Sequence, residues 1–169
     1  CLLTYTEVEN FRFPTLTPSL GRCVSRITSG ERRPADRLEQ KLDDDYLLWY
    51  DVPVGPRQLH PDFVVMHPRR GLLILEVKDW SPKTIQQADK QSWQVFMHGR
   101  LKTQPNPVEQ ARQYAHAVVD ALKRDPQLVH ADGKYQGGLR FPWSYGVVFP
   151  NMTRKQARKS TRLDSRHRG

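Results

Sequence analysis

The chain has 169 residues, room for one domain with a sizeable core, and its 37% hydrophobic and 27% charged content fits a globular protein rather than a disordered one. No run approaches the ~18 to 20 apolar residues of a membrane-spanning helix, and the two cysteines, Cys1 and Cys23, are too few for a disulfide framework or a metal cluster. Of the net charge of +9, +6 sits between Asn151 and Gly169, where seven Lys or Arg face the single acid Asp164.

The opening CLLTYTEVEN has no basic n-region, no long apolar stretch and no small-residue cleavage site, so it does not read as a secretory signal. It starts with Cys rather than Met, as a fragment or a processed piece would. With only two cysteines and no disulfide framework, a reducing, cytoplasmic setting is the expectation. Residues 1–27, with Pro14 and Pro18 among scattered apolar side chains, read as an irregular lead-in. TSGERRPADRLEQKLDDDY then predicts a helix. Thr28 or Ser29 can cap it, Glu31 falls in the first turn, and Ala35, Leu38 and Leu42 follow helical spacing. Pro34 requires that helix to start close by, near Ser29.

YLLWYDVPV predicts a strand ended by Pro53 and Gly55. DFVVM and LLILEVK predict two more, joined by HPRRG. KTIQQADKQSWQVFMHGRLK reads as one or two short solvent-facing strands about a turn at His98-Gly99-Arg100. Asn106-Pro107 is a helix entry, followed by a stripe of Ala111, Tyr114, Ala115, Val118 and Leu122. DPQLVHADGKYQGGLR reads as loop, and WSYGVVF as a last strand closed by Pro150. The order is α-β-β-β-(β-β)-α-β. Its strands are nearly continuous in apolar residues, as in an α/β sheet covered on both faces. The remaining basic tail, residues 151–169, has no apolar period and no aromatic side chain to stack on bases, and reads as a solvated end rather than a phosphate-binding arm.

Three charged residues intrude on PDFVVMHPRRGLLILEVKDW. Side chains alternate along a strand, so Glu76 and Lys78 share a face with Leu72 and Ile74, while Asp62 shares one with Val64 and Met66. If His67 to Gly71 forms a five-residue loop, Met66 opposes Leu72, Val64 opposes Ile74 and Asp62 opposes Glu76. Directly opposed residues lie about 4.5 to 5.5 Å apart at Cβ. Two carboxylates so placed repel each other unless a cation neutralises them. Hard oxygen donors suit Mg²⁺ or Mn²⁺, and Lys78 on the same face can orient a water or offset charge on phosphorus. The plainer alternative is that Asp62 only starts a strand after Pro61 and that Glu76 and Lys78 mark the exposed end of another.

Pro61-Asp62, thirteen intervening residues, then Glu76-Val77-Lys78 resembles the signature of the PD-(D/E)XK nuclease superfamily. SGERR, PDFVVMHPRRGLLILEVKDW, SWQVFMHGR and NPVEQARQYAHAV fall in the order of the nuclease-related domain, the NERD family, over residues 28–150. The resemblance implies a restriction-endonuclease-like αβββαβ core, a central mixed sheet flanked by helices. It implies Asp62 and Glu76 as metal ligands with the Val77 carbonyl as a third, Lys78 as the catalytic lysine, and Glu31 on the first helix touching the metal or its water shell. Gln110 and Tyr114 resemble a Gln-x-x-x-Tyr motif of exonuclease members and share one helix face. Each has a plainer role open to it: Glu31 as a helix-start acid, Gln110 as a solvated side chain, Tyr114 as core. Trp80 reads as packing more readily than as a base stacker, and Arg69 and Arg70 as a solvated turn.

The function so implied is a Mg²⁺- or Mn²⁺-dependent nuclease acting on DNA, linked to DNA processing or repair with a helicase partner. The rival is a non-catalytic DNA-binding module of a helicase-associated protein. No GxxxxGK[ST] loop occurs, so no motor activity is expected of this chain. Beyond Pro150 the sequence ARKSTRLDSRHRG departs from the family pattern, as a truncated or altered end would.

Overall fold

A computed structural model describes residues 27–157. The expected lead-in, apart from Ile27, and the tail from residue 158 onward lie outside the described residues. The first helix, α1 (Ser29–Lys41), starts where the sequence places it. Thr28 and Glu31 close a capping box, which satisfies the first free N–H groups of the helix. Pro34 lies inside the helix, and it and Ala35 are buried.

Strands β1 (Leu47–Tyr50), β2 (Phe63–His67) and β3 (Gly71–Val77) form an antiparallel meander. The last strand, β7 (Trp143–Val148), pairs parallel to β3, so the sheet is mixed with order β1-β2-β3-β7. Alternation sorts its side chains. Trp49, Val64, Leu72 and Ile74 pack with Ala115, Val118 and Leu122 of helix α2 (Pro107–Leu122) on one face. Tyr50, Phe63 and Val77 pack with Ala35 on the other, with Ile27 and Leu38 against them. Each fully buried Ile, Val or Phe of this kind stabilises the fold by about 1.5–3 kcal/mol. Cover on the α1 side is incomplete: Leu73 remains 36% exposed, because the short helix reaches only part of that face.

The middle segment differs from the expectation of one or two solvent-facing strands. It is a separate three-stranded sheet of β4 (Ile85–Ala88), β5 (Ser92–Met97) and β6 (Arg100–Pro105), with the turn at His98 and Gly99 as expected. Its inner face is not solvated. Ala88, Trp93 and Val95 bury a third apolar cluster with Trp80, and Phe149 packs against it. The segment Asp125 to Arg140, expected as loop, holds a short 3-10 helix (Pro126–Leu128) and an isolated bridge between Val129 and Leu139. Among the described residues no helix is long and apolar enough to cross a membrane.

The hairpin between β2 and β3 has the expected register, with Met66 opposite Leu72 and Val64 opposite Ile74. His67, 7% exposed, holds the turn: its Nδ1 accepts from the Arg69 and Arg70 N–H groups at 3.1 and 3.2 Å. Gly71 has φ +82°, and a Cβ there would meet the Pro142 carbonyl oxygen at 1.9 Å. That carbonyl accepts the Leu72 N–H, at 3.0 Å, so it cannot retreat freely. Gly71→Ala is therefore expected to cost at least about 2 kcal/mol, from left-handed strain and overpacking together. Chemical denaturation read by tryptophan fluorescence checks this; an unchanged midpoint would show that β3 and β7 do not meet this closely.

Candidate active site at the ends of β2 and β3

Continuing the β2–β3 register one step beyond Phe63–Leu75 brings Asp62 opposite Glu76. Asp62 follows the buried Pro61 and precedes Phe63, which is 0% exposed. Its Oδ2 accepts the Val77 N–H at 2.6 Å, so a side chain from the start of β2 is pinned to the end of β3. Glu76 is 3% exposed. Its Oε1 accepts from Lys78 Nζ at 2.6 Å, while Oε2 is buried and has no hydrogen-bond partner. Lys78 reaches Glu76 because the two share a strand face, and its own N–H is donated to the Val148 carbonyl at 2.9 Å.

This pairing makes the site electrostatically tense. Burial first, and then the neighbouring Glu76 carboxylate, push the Asp62 carboxyl up to about 7. Burial likewise raises Glu76, and the Lys78 ammonium opposes that rise. Glu31 adds negative potential to both carboxyls from the start of α1. Its Oε2 accepts from the Thr28 N–H at 2.9 Å and from the Tyr50 hydroxyl at 2.7 Å, so the residue serves the helix cap as well as facing the site. Burial, then the bond to Glu31, hold the Tyr50 hydroxyl far above the ordinary tyrosine range.

The surroundings hold Lys78 in place. Its Nζ lies 5.9 Å from the centre of the Trp80 ring. Trp80 is 5% exposed and packs at 5.7 Å on Trp93, which fits packing rather than base stacking. Asp79 accepts a hydrogen bond from Asn151 Nδ2, and its Cβ lies 2.4 Å from where a Cβ on Gly30 would stand. Glycine at position 30 thus lets the start of α1, and Glu31 with it, come down onto the end of β3.

Asp62, Glu76, Val77 and Lys78 are brought together, with Glu31 close enough to shift both carboxyls. Gln110 and Tyr114 lie on α2, over the sheet face that bears the carboxylates. Gln110 Nε2 donates to the Tyr114 hydroxyl at 2.8 Å, and no hydrogen bond among the described residues joins either to Asp62 or Glu76. Arg69 and Arg70 sit in the turn at the opposite end of the hairpin, where Arg70 lies 5.9 Å over the Tyr46 ring. Tyr50, Gly30 and Asn151 support the site and were not singled out from sequence; their partners are far away along the chain, and nothing local marks them.

Among the described residues no group of three or more His, Cys, Asp or Glu forms a ready cage for a metal ion. The donors present do fit a hard cation that is content with few protein ligands. They are carboxylate oxygens, one of them buried without a partner, on two acids that burial and neighbouring carboxylates push toward neutrality.

A model of the nuclease-related domain, NERD, matches residues 28–150. The chain belongs to the NERD family. The matched region opens at the Thr28 cap and closes at Pro150, just after β7, so it contains α1, α2 and every strand described. NERD domains fall within the PD-(D/E)XK superfamily. The architecture here, a central mixed sheet flanked by helices, agrees with a restriction-endonuclease-like fold. Neither a curated protein nor a solved structure matches the chain. Family membership gives this NERD domain a nuclease-related function.

Proposed function

We propose that this NERD domain is a divalent-metal-dependent nuclease that hydrolyses DNA phosphodiester bonds. The observation that carries the reading is the buried, unpartnered Oε2 of Glu76 on a carboxylate set opposite Asp62. A domain that only gripped DNA would gain nothing from burying two acids that repel both each other and phosphate.

Asp62, Glu76 and the Val77 carbonyl would hold Mg²⁺ or Mn²⁺, with Glu31 facing its water shell. When bound, the ion supplies Lewis-acid stabilisation and acidifies water. The remaining work falls to the chain. Lys78, steered by Glu76 and the Trp80 ring, presents N–H donors to the attacking water or to a non-bridging phosphate oxygen. Hydrolysis joins the water oxygen to phosphorus and releases the ester oxygen as an alcohol. The Val77 N–H fixes the orientation of Asp62 before substrate arrives. Gln110 and Tyr114, already bonded to each other, form a polar unit that can position the strand. A cytoplasmic role in DNA processing or repair beside a helicase completes the proposal.

The test is cleavage of labelled single- and double-stranded DNA with Mg²⁺, with Mn²⁺ and with EDTA. Cutting that requires the ion and stops with Glu76→Gln supports the reading. Binding without cutting under all three conditions would make the domain a DNA-binding module instead.

A further inference from the structure

We propose that the cleft between the C-terminal end of α2 and the hairpin at residues 129–143 is a second site, one that grips single-stranded nucleic acid away from the carboxylates. The inference rests on the reading of this chain as a protein that acts on nucleic acid. The cleft is open and has a volume of about 790 Å³. Lys123, His130 and Arg140 line it together with Tyr135, Phe141 and Trp143, and no Asp or Glu belongs to the lining. Cations interleaved with aromatic rings are what a single strand requires, because phosphates need positive charge and unstacked bases need flat apolar faces.

The walls are built rather than loose. The Val129–Leu139 bridge closes the hairpin, and His130 N–H to Gly138 oxygen and Gly137 N–H to His130 oxygen, each 2.9 Å, extend it. Leu128, 5% exposed, anchors its base in the main core. Arg140 donates its backbone N–H to Leu128 and its Nε–H to Val129, each at 2.8 Å, which fixes the root of an exposed guanidinium. Tyr135 is 65% exposed, with Lys134 Nζ 5.6 Å from its ring centre and the His130 ring at 6.0 Å. A large aromatic ring left this open on a tied-down hairpin stabilises the fold little and offers its face to a ligand. Asp125, whose Oδ1 accepts from the Gln127 N–H at 2.8 Å, does not line the cleft.

The cleft also lies where a substrate grip is useful. β7 begins there with Trp143 opposite Leu72 and runs to Val147 opposite Glu76. Four strand residues separate the two places by about 13 Å. A stacked duplex keeps its base faces covered and could use only the cations, so the ring component selects unpaired strand.

The experiment measures binding of a short labelled oligodeoxythymidylate to the full chain in EDTA, by fluorescence anisotropy across a salt series. Lys123→Ala with Arg140→Ala is expected to weaken binding about tenfold or more and to flatten the log–log salt slope by about 1.4, near 0.7 for each lost phosphate contact. Tyr135→Ala is expected to weaken binding about fivefold or more with the salt slope unchanged. Lys123→Ala alone leaves the Arg140 backbone anchor intact and should still reduce the slope by about 0.7. Unchanged affinity in these variants, or displacement by duplex DNA as effective as by single strands, would overturn the proposal. The outcome is separable from the catalytic reading. Binding lost in these variants while no cleavage is seen removes the nuclease and keeps this site; intact binding with metal-dependent cleavage does the reverse.

Discussion

Replacing Lys78 with Ala is expected to slow metal-dependent DNA cleavage by about 100- to 1,000-fold, the usual consequence of losing one donor aimed at developing charge. The side chain is placed for that role by two restraints: the 2.6 Å contact with Glu76 Oε1 and the Trp80 ring beneath its ammonium. Deleting it also strips Glu76 of its only side-chain hydrogen-bond donor among the described residues, since Oε2 already has none. The Glu76 carboxyl should then climb further toward neutrality, which weakens any cation site. Lys78→Arg separates the two effects. It keeps a positive charge beside Glu76 but replaces a compact ammonium with a planar fork, so folding should hold while the rate stays low. Single-turnover rates at saturating Mn²⁺, paired with thermal unfolding of each variant, decide the matter. A Lys78→Ala protein that cuts at the wild-type rate would remove Lys78 from the mechanism.

Asp62→Asn is expected to make the metal-free protein more stable than the wild type, by about 2 to 4 kcal/mol, once the pH exceeds about 7. In the fold, burial and the Glu76 carboxylate hold the Asp62 proton up to about pH 7, against an ordinary value of 3.8. Between those two values the folded state binds more protons than the unfolded chain, so stability falls as pH rises. The stabilising proton is fully present below about pH 4 and lost by pH 7. Asparagine stays neutral, can still accept the Val77 N–H, and escapes the loss. The gain should therefore vanish near pH 4, grow through pH 5 and 6, and level off above 7. Mg²⁺ or Mn²⁺ at pH 8 should reverse the ranking by stabilising only the wild type, because the ion compensates the charges that repel. Thermal melts across pH, with and without the ion, provide the check. A variant less stable than wild type at pH 8 without metal would mean that the Asp62 charge is already compensated.

What the sequence disclosed about this site came from counting. The alternation of side chains and the five residues from His67 to Gly71 leave one register that puts Asp62 opposite Glu76, and the observed pairing follows it. The entry to α2 was equally plain: Asn106 Oδ1 caps it by accepting from the Val108 N–H at 2.9 Å, and Pro107 occupies the first helical position. Elsewhere the signal was weak or distant. β4, Ile85–Ala88, is half glutamine and has no apolar alternation; pairing with β5 makes it a strand. The inward turn of Trp93 and Val95 depends on Trp80 and Phe149, which come from either side in sequence. Glu31 reads from sequence as a first-turn acid, yet its bond to Tyr50 spans nineteen residues and no local pattern announces it. The hairpin at 129–143 resembles loop because its bridge rests on Val129 and Leu139 alone, amid Gly, Asp and Lys.

The parallel pairing of β3 with β7 also bears on how the site comes into being as the chain is made. Lys78 leaves the ribosome seventy residues ahead of Val148, whose carbonyl accepts its amide. Until β7 arrives, the outer edge of β3 is unpaired and its backbone groups are free to pair with any other strand. Fixing of the Lys78 backbone and closure of the aggregation-prone edge are thus one event, which waits for β7. A product cut short before Trp143 would keep the hairpin that sets Asp62 opposite Glu76 but lack this protection.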